Sequence, residues 1–324
     1  MTVYCTYFDR HYLTRGLTLY ASLVRHVPGV DLRVLCLDDE THRVLTRLAL
    51  PGLDPVPLSA LERADPVLRA TRSDRTTLEY YFTCTPAWTR FVLGGVGPDD
   101  RVVYVDADLR FFSDPAPVFD EIGEASVAIT PHRFPIEDHD PGVFGVYNVG
   151  FLVFRHDAMG HSVLADWRTR CIEWCYDSLE DERFADQKYL DAWPGRFPGV
   201  HVIRHPGAGL APWNWRGHTI GFDDDPLTVD GRPLVFYHFH GFRMLGPWLY
   251  DAGVAAGAMP PALRGRLYRS YAAALRQARY ASDRALRGVA REIPHRRDGI
   301  YNYYTGLLRS ALVGRSTVHL VRRG

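Results

Sequence analysis

An apolar run ends on two carboxylates at Val102-Val103-Tyr104-Val105-Asp106-Ala107-Asp108. Ligands of open α/β sheets bind beyond the carboxyl ends of the strands, so a strand here would deliver its last residues to a site. Two hard oxygen donors spaced i, i+2 suit Mg2+ or Mn2+, and such an ion neutralises a diphosphate. The tripeptide alone reads more readily as a strand cap with a solvated turn, and the apolar strand before it brings the metal-binding reading level with that one. His238-Phe239-His240-Gly241 follows another apolar run. Neutral imidazole completes a carboxylate-rich manganese site. Extended geometry would put His238 and His240 on one side and Phe239 on the other, so spacing does not choose between them, or between ligands and ordinary loop histidines.

Two further groups could touch a polar ligand. In Tyr147-Asn148-Val149-Gly150, Asn148 offers a donor and an acceptor to sugar hydroxyls, and Gly150 allows close backbone approach. Asp186-Gln187 opens an expected helix, where Asp186 is either reactive or an N-terminal cap. Pro212-Trp213-Asn214-Trp215 offers flat apolar faces for sugar stacking, or plain loop packing. His132 and Arg133 follow a strand end and could reach an acceptor, whereas Tyr80-Tyr81-Phe82 reads as core and His201 and His205 as structural or surface residues.

The elements that must position these residues alternate. Strands are expected at Val3–Tyr7, Leu32–Leu37, Pro55–Leu58 and Arg101–Asp106. The helices between them are Tyr12–His26, one from about Thr41, Leu61–Arg69, and one spanning Thr76 to Leu93 with a kink or break at Pro86. Such alternation implies a doubly wound, mostly parallel sheet flanked by helices. Further on, strands are expected at Ser126–Pro131, Val149–Arg155 and Leu234–His238, and helices at Ala158–Tyr176 and Ala185–Ala192. The stretch Gly199–Gly221 reads as an irregular loop, and Pro260 to Arg291 as a long helix, whole or in two parts.

The 324 residues suffice for one large domain, or a domain with an appendage, and 46% hydrophobic residues provide a substantial core. Basic and acidic residues balance at 38 each, which gives no support to nucleic-acid binding. The balance is uneven: Pro261–Gly324 holds 14 Arg and no Lys against Asp283, Glu292 and Asp298, a basic tail on an acidic body. Its stripe of Leu263, Leu267, Tyr271, Leu275 and Ala278 is interrupted by Ser282 and resumes at Leu286 and Val289. Lys188 is the only lysine. Cys5, Cys36, Cys84, Cys171 and Cys175 have no metal-site spacing and suit a reducing compartment. With neither a signal peptide nor a run of about 20 apolar residues, the expectation is a cytoplasmic protein, soluble or peripheral to the inner face of the membrane.

Taken in order, Asp-x-Asp, Asn-x-Gly, Asp-Gln and His-x-x-Gly resemble the GT-A-fold retaining glycosyltransferases of the glycogenin and lipopolysaccharide galactosyltransferase group, over roughly residues 3–248. The resemblance implies a GT-A fold, with Asp106, Asp108 and His238 binding manganese, Asn148 contacting donor or acceptor sugar, and Asp186 and Gln187 lying by the reacting carbon. It further implies that Thr6, Tyr7, Asp9 and Tyr12 surround the nucleobase end of the donor, with Asp9-Arg10-His11-Tyr12 matching D-x-x-Y. Ala107, Gly150, His240 and Gly241 join the donor and acceptor contacts. A basic residue before the Asp-x-Asp pair touches the donor in that group, and Arg90 is the nearest match. The chain departs where the group has Lys-Pro-Trp: Gly246-Pro247-Trp248 stands here, and Arg243 could serve the diphosphate instead. The Trp213 loop is also outside that pattern and, like the strings DADLRFFSDP and HPGAGLAPWNW, looks more like bacterial polysaccharide-type transferases.

The reading is a metal-dependent glycosyltransferase with Mn2+ or Mg2+ as cofactor. Residues 1–258 would form the nucleotide-sugar-binding, catalytic domain and 259–324 a basic helical appendage. The partners would be a nucleotide-sugar donor, UDP-linked by preference, and a glycan, lipid-linked or small-molecule acceptor, with the basic segment available for membrane contact. Two other classes share these features: a noncatalytic nucleotide-sugar-binding protein, and a sugar nucleotidyltransferase. The latter should carry a Gly-rich phosphate loop after its first strand, and Tyr7-Phe8-Asp9-Arg10 has none. Retention is the implied outcome; if the reaction inverts, Asp186 is the natural base.

Overall fold

The structure is a computed structural model that describes residues 1–135, 143–180, 182–221, 223, 225–246, 248–253, 259–286 and 318–320. In chain order the first elements are β1 (Thr2–Phe8), α1 (Leu13–His26), β2 (Asp31–Cys36), α2 (Asp39–Leu48), β3 (Leu53–Pro57), α3 (Leu58–Ala64), α4 (Pro66–Ala70) and α5 (Thr77–Leu93). There follow β4 (Arg101–Val105), β5 (Leu109–Phe111), α6 (Ala116–Ile122), β6 (Val127–Pro131), β7 (Tyr147–Arg155), α7 (Ala158–Glu173), α8 (Trp193–Arg196), β8 (Val200–Val202) and β9 (Ala208–Leu210). The last strands needed here are β10 (Ile220–Gly221), β11 (Thr228–Val229), β12 (Arg232–Pro233) and β13 (Phe236–His238). The C-terminal helical segment joins Pro261–Arg264 and Ser270–Leu286 through a π-helical turn at Gly265–Arg269.

Seven strands form the main sheet in the order β3-β2-β1-β4-β7-β6-β8. The β1, β2, β3 and β4 pairings are parallel, and β7 runs antiparallel to both β4 and β6. Residues alternate between two covered faces, as a buried sheet requires. Cys5, Val102, Tyr104, Leu152 and Phe154 pack with Trp88 of α5 and Trp167 of α7. Tyr4, Val103, Val105, Phe151 and Val153 pack on the other face with Leu17 and Leu23 of α1 and Leu45 of α2. The expected mostly parallel, helix-flanked α/β architecture is what the chain adopts.

A second sheet, β5-β13-β9, turns the chain at the carboxyl end of β4. Strand β5 begins one residue after Asp108 and pairs antiparallel with β13, setting His238 opposite Leu109. The backbone N–H of Phe239 then donates to the Asp108 carbonyl at 3.0 Å. Two motifs far apart in sequence are thereby fixed by backbone ladders to one edge.

Several local expectations shift. The helix expected at Leu61–Arg69 is two, α3 and α4, divided at Asp65-Pro66, because the residue before proline disfavours helical geometry. Helix α5 runs through Pro86 unbroken after a Thr76–Glu79 capping box. The Gly199–Gly221 stretch carries β8, β9 and β10 instead of being irregular throughout. The helix expected at Ala185–Ala192 is a 3-10 turn at Lys188–Ala192. The C-terminal stripe is buried from Leu263 to Ala278, and Ser282 is buried with it, its hydroxyl donating to the Arg279 carbonyl. Val289 and nearly all of 292–324 lie outside the described residues. Among the described residues no helix is long and apolar enough to cross a membrane.

Candidate active site

The carboxyl end of β4 brings Asp106 and Asp108 beside His238. The histidine Nε2 lies 3.1 Å from Oδ1 of Asp108 and 3.8 Å from Oδ2 of Asp106. One ligand atom from each of Asp108, His238 and His240 falls within 4.8 Å of the others. His240 thus enters the cluster as a potential ligand, a role the alternating pattern at 238 and 240 permitted but could not assign. Asp106 is oriented from its own strand by the Tyr104 hydroxyl, which donates to Oδ1 at 2.8 Å. Ala107, between the carboxylates, is buried.

Gly150 is the residue that lets these parts meet. Its carbonyl accepts from the Asp106 N–H at 3.0 Å, pinning β7 to the carboxylate turn. A Cβ at this position would fall 2.5 Å from Asn148 Oδ1 and 3.0 Å from His238 Nδ1, so a side chain would displace the histidine or the amide. Gly241 serves differently: its φ of +73° completes a turn in which the Phe242 N–H donates to the Phe239 carbonyl.

Electrostatics favour a shared cation at this cluster. Burial opposes ionisation of Asp108, but His238, His240 and Arg15 outweigh it and hold its pKa at about 2. Burial, and secondarily the Asp108 charge, raise Asp106 to about 6. Burial works against a charged His238, yet the two carboxylates outweigh it and raise its pKa. His240 is pushed down to about 4 by burial and by His238, which leaves it neutral with a lone pair to give. Two carboxylates and two imidazoles are a donor set that fits Mn2+, with nitrogen as well as oxygen ligands.

Asp186 is buried, and the charge of Asp106 acts on it. Burial, and then the Asp106 charge, raise its pKa to about 7 against a hydrogen bond from Thr85. Tyr7 lies between: its hydroxyl is 3.1 Å from Thr85 Oγ1, its ring is 5.9 Å from that of Tyr104, and both Asp186 and Asp106 act on it. Asp186 does not cap a helix. Its carbonyl accepts from the buried Trp167 indole at 2.7 Å, and the following 3-10 turn has Gln187 as its N-cap, without a side-chain capping bond. Gln187 braces β7 instead, accepting from Asn148 Nδ2 at 3.3 Å and donating to the Phe144 carbonyl at 2.9 Å. Asn148 Nδ2 also lies 3.2 Å from His132 Nε2, and Asn148 Oδ1 accepts from the Gly150 N–H at 2.9 Å.

The Trp213 loop reaches the cluster. Trp213 meets His238 and His240 edge-on at ring distances of 5.4 and 5.7 Å, and its indole N–H donates to the His132 carbonyl at 2.9 Å. Asn214, fully buried, donates to the His132 and Gly209 carbonyls and holds the loop in place. His132 is therefore in the site, whereas Arg133 turns away and donates to the carbonyls of Ala208, Ile203 and His205. His201 and His205 gather around Glu121, as structural residues.

Other expected residues occupy the periphery. Thr6 is fully buried on β1. Asp9 accepts from the N–H groups of His11 and Tyr12 at 3.0 and 3.2 Å, and burial, then Asp38, raise its pKa. Tyr81, expected in the core, borders this corner, since Asp9 and Asp38 both act on it. Arg90 is not brought to the cluster: it is exposed, with Asp65 and His161 as its electrostatic neighbours, on the face of α5 away from Thr85. Arg243 donates to Asp251 at 3.0 Å, so its charge is matched there. Sequence reasoning missed Thr85, Tyr104 and Arg15. Threonines at 83, 85 and 89 in one expected helix were a signal for the first, and Tyr104, two residues before Asp106 in an expected strand, shares its face; nothing local marked Arg15.

Behind the site, Phe239 stacks on Tyr271 of the C-terminal helix at 3.7 Å and 8°, and Phe242 packs with Tyr250, Tyr268 and Tyr271. The histidine motif is thus backed by aromatic rings from the segment after residue 258.

No family model matches the chain. Two uncharacterized proteins of Bacillus subtilis (strain 168) align with it. YfnF is 34% identical over 252 residues, 75% of this chain and 82% of that protein. YfnD is 32% identical over 250 residues, 75% and 78% respectively. Among solved structures, the galactosyltransferase LgtC in complex with donor and acceptor sugar analogues matches with a TM-score of 0.51, at 14% identity, over 91% of this chain and 98% of that one. An active-site variant of LgtC matches with a TM-score of 0.50 at 15% identity, over 82% and 100%. The fold is of the GT-A type.

Proposed function

The chain belongs to the family of the Bacillus subtilis proteins YfnF and YfnD, and we propose that it is a divalent-metal-dependent glycosyltransferase. It moves a sugar from a nucleotide-diphosphate donor, a UDP-sugar by preference, to a glycan, lipid-linked or small-molecule acceptor. The observation that carries this reading is the convergence of Asp106, Asp108, His238 and His240 at the carboxyl end of β4. That is where ligands bind in open α/β sheets. A noncatalytic binding protein would have no use for Asp186, a second buried carboxylate beside the cluster.

Asp106, Asp108, His238 and His240 would hold the metal, Mn2+ or Mg2+, which when bound stabilises the charge that develops on the leaving diphosphate. Tyr104 fixes the rotamer of Asp106, and Gly150 admits the histidine. Asp186 sits where a carboxylate can face the positive charge that grows on the sugar ring. Tyr7 and Thr85 are its polar neighbours. Asn148 and Gln187 orient sugar hydroxyls, Trp213 offers the acceptor an aromatic face, and the Asp9–Tyr12 corner with Thr6 receives the nucleobase end. In retention the leaving phosphate accepts the acceptor proton; in inversion Asp186 takes it.

The catalytic domain would end near residue 258; the helix Ser270–Leu286 backs it through Tyr271 on Phe239, and the arginines of the basic segment would meet anionic surfaces. The reading is tested by incubating the protein and Mn2+ with UDP-, GDP- and dTDP-sugars and measuring nucleoside diphosphate release. A sugar nucleotidyltransferase would release no diphosphate and would give sugar-1-phosphate and nucleoside triphosphate only once pyrophosphate is added; a binding protein would release neither.

A further inference from the structure

We propose that Arg15, on the first turn of α1, binds the donor diphosphate. The inference rests on the glycosyltransferase reading and adds to it a residue that nothing in the sequence motifs marks.

Charge sets the requirement. A nucleoside diphosphate brings two to three negative charges to a site that already contains Asp106 and Asp108. One divalent ion offsets only part of that sum, so a fixed cation is needed on the phosphate side. Three basic residues of the neighbourhood are directed to other groups. Arg243 is paired with Asp251 at 3.0 Å. Arg133 spends its fork on three backbone carbonyls. Lys188, the only lysine, lies 3.9 Å from Glu182 and acts on Asp191.

Arg15 is differently placed. Its charge acts directly on Asp108. Its Nη2 donates to the Phe242 carbonyl at 2.7 Å, at the turn that closes the His238-Phe239-His240-Gly241 motif. Its guanidinium lies over the Tyr12 ring, 4.4 Å from the centroid, next to the Asp9 corner. Arg15 therefore spans the nucleoside end and the metal end of the site, the interval a diphosphate must cross. A guanidinium presents N–H groups in a planar fork suited to phosphate oxygens, and the bond to the Phe242 carbonyl helps set the plane of that fork.

The test is calorimetric binding of UDP and UMP, with Mn2+ present, to the full chain and its Arg15→Met and Arg15→Lys variants, with Mn2+ alone as a further titrant. Arg15→Met should weaken UDP roughly 10- to 100-fold, as the loss of a charge-assisted phosphate contact does. UMP should weaken by less than about threefold, and Mn2+ alone should bind at least as tightly, because a cation beside Asp108 has gone. Arg15→Lys should recover part of the UDP affinity and guards against a Met variant that fails to fold. Unchanged UDP affinity overturns the inference. So does an equal loss for UDP, UMP and Mn2+, which would make Arg15 a clamp on the Phe242 turn. Wild-type protein that binds none of UDP, GDP or dTDP removes the donor reading itself, and the inference falls with it.

Discussion

Nε2 of His238 stands 3.1 Å from Oδ1 of Asp108, and the residue after His238 donates its backbone N–H to the carbonyl of Asp108. The side-chain contact is therefore set by a backbone ladder. Wherever the β5–β13 pairing forms, the carboxylate and the imidazole are delivered together.

Because Gly150 leaves no room for a Cβ, Gly150→Ala should injure the cluster while sparing the fold. The expected result is at least a tenfold loss of Mn2+ affinity, of the order seen when the surroundings of metal ligands are disturbed, with an unchanged circular dichroism spectrum. Electron paramagnetic resonance of free Mn2+ measures it. Wild-type affinity in the variant would mean that His238 does not stand where metal binding needs it.

Asp186 offers a prediction with a definite sign. Its folded pKa is raised to about 7, against an ordinary 3.8, so the folded state holds this proton more tightly than the unfolded chain. The stability the group contributes is full below the unfolded value and is lost as pH rises through about 7. In EDTA, Asp186→Asn should melt higher than wild type above pH 7, by at least about 2 °C, with the gap narrowing towards pH 5. Turnover should fall while nucleotide affinity changes little. A variant that melts lower at every pH would give the Asp186 carboxylate a structural role.

The stack of Tyr271 on Phe239 ties the C-terminal helix to the histidine motif. Tyr271→Ala should cost about 3–5 kcal/mol, the range for a buried aromatic, and should weaken Mn2+ binding in whatever fraction remains folded. Differential scanning calorimetry at fixed metal concentration reads the first effect. A variant with wild-type melting would separate the helix from the site.

How much of this was legible from sequence depended on the range of the interaction. Asp106 and Asp108 could be read because a strand must end and its last residues must emerge together. The histidines at and just past the end of β13 could be placed at an edge by the same rule, but spacing did not choose between His238 and His240, and only the family resemblance singled out His238. Gly150 could be read as a close-approach position because only glycine allows it, although its partners could not be named. The capping alternative for Asp186 was a local reading, and it failed because the residue answers to Trp167 and Thr85, on two distant helices. Arg15 left no local trace: a first-turn arginine is ordinary, and only tertiary packing against Phe242 distinguishes it. Strands β8 and β9 were missed because three residues are too few to show an alternation, and the aromatic backing of Phe239 was missed because a helical stripe does not declare what it packs against.

The central claim is metal-dependent sugar transfer at the Asp106–Asp108–His238 cluster, and the most direct measurement is nucleoside diphosphate release from a nucleotide-sugar, with Mn2+ or EDTA, by wild type and by Asp108→Asn. Wild type should release the diphosphate with Mn2+ and show none above background in EDTA. The variant should be at least about 100-fold slower, the scale of losing one stabilising electrostatic contact in a transition state. Full activity of wild type in EDTA, or of Asp108→Asn under any condition, would contradict the claim.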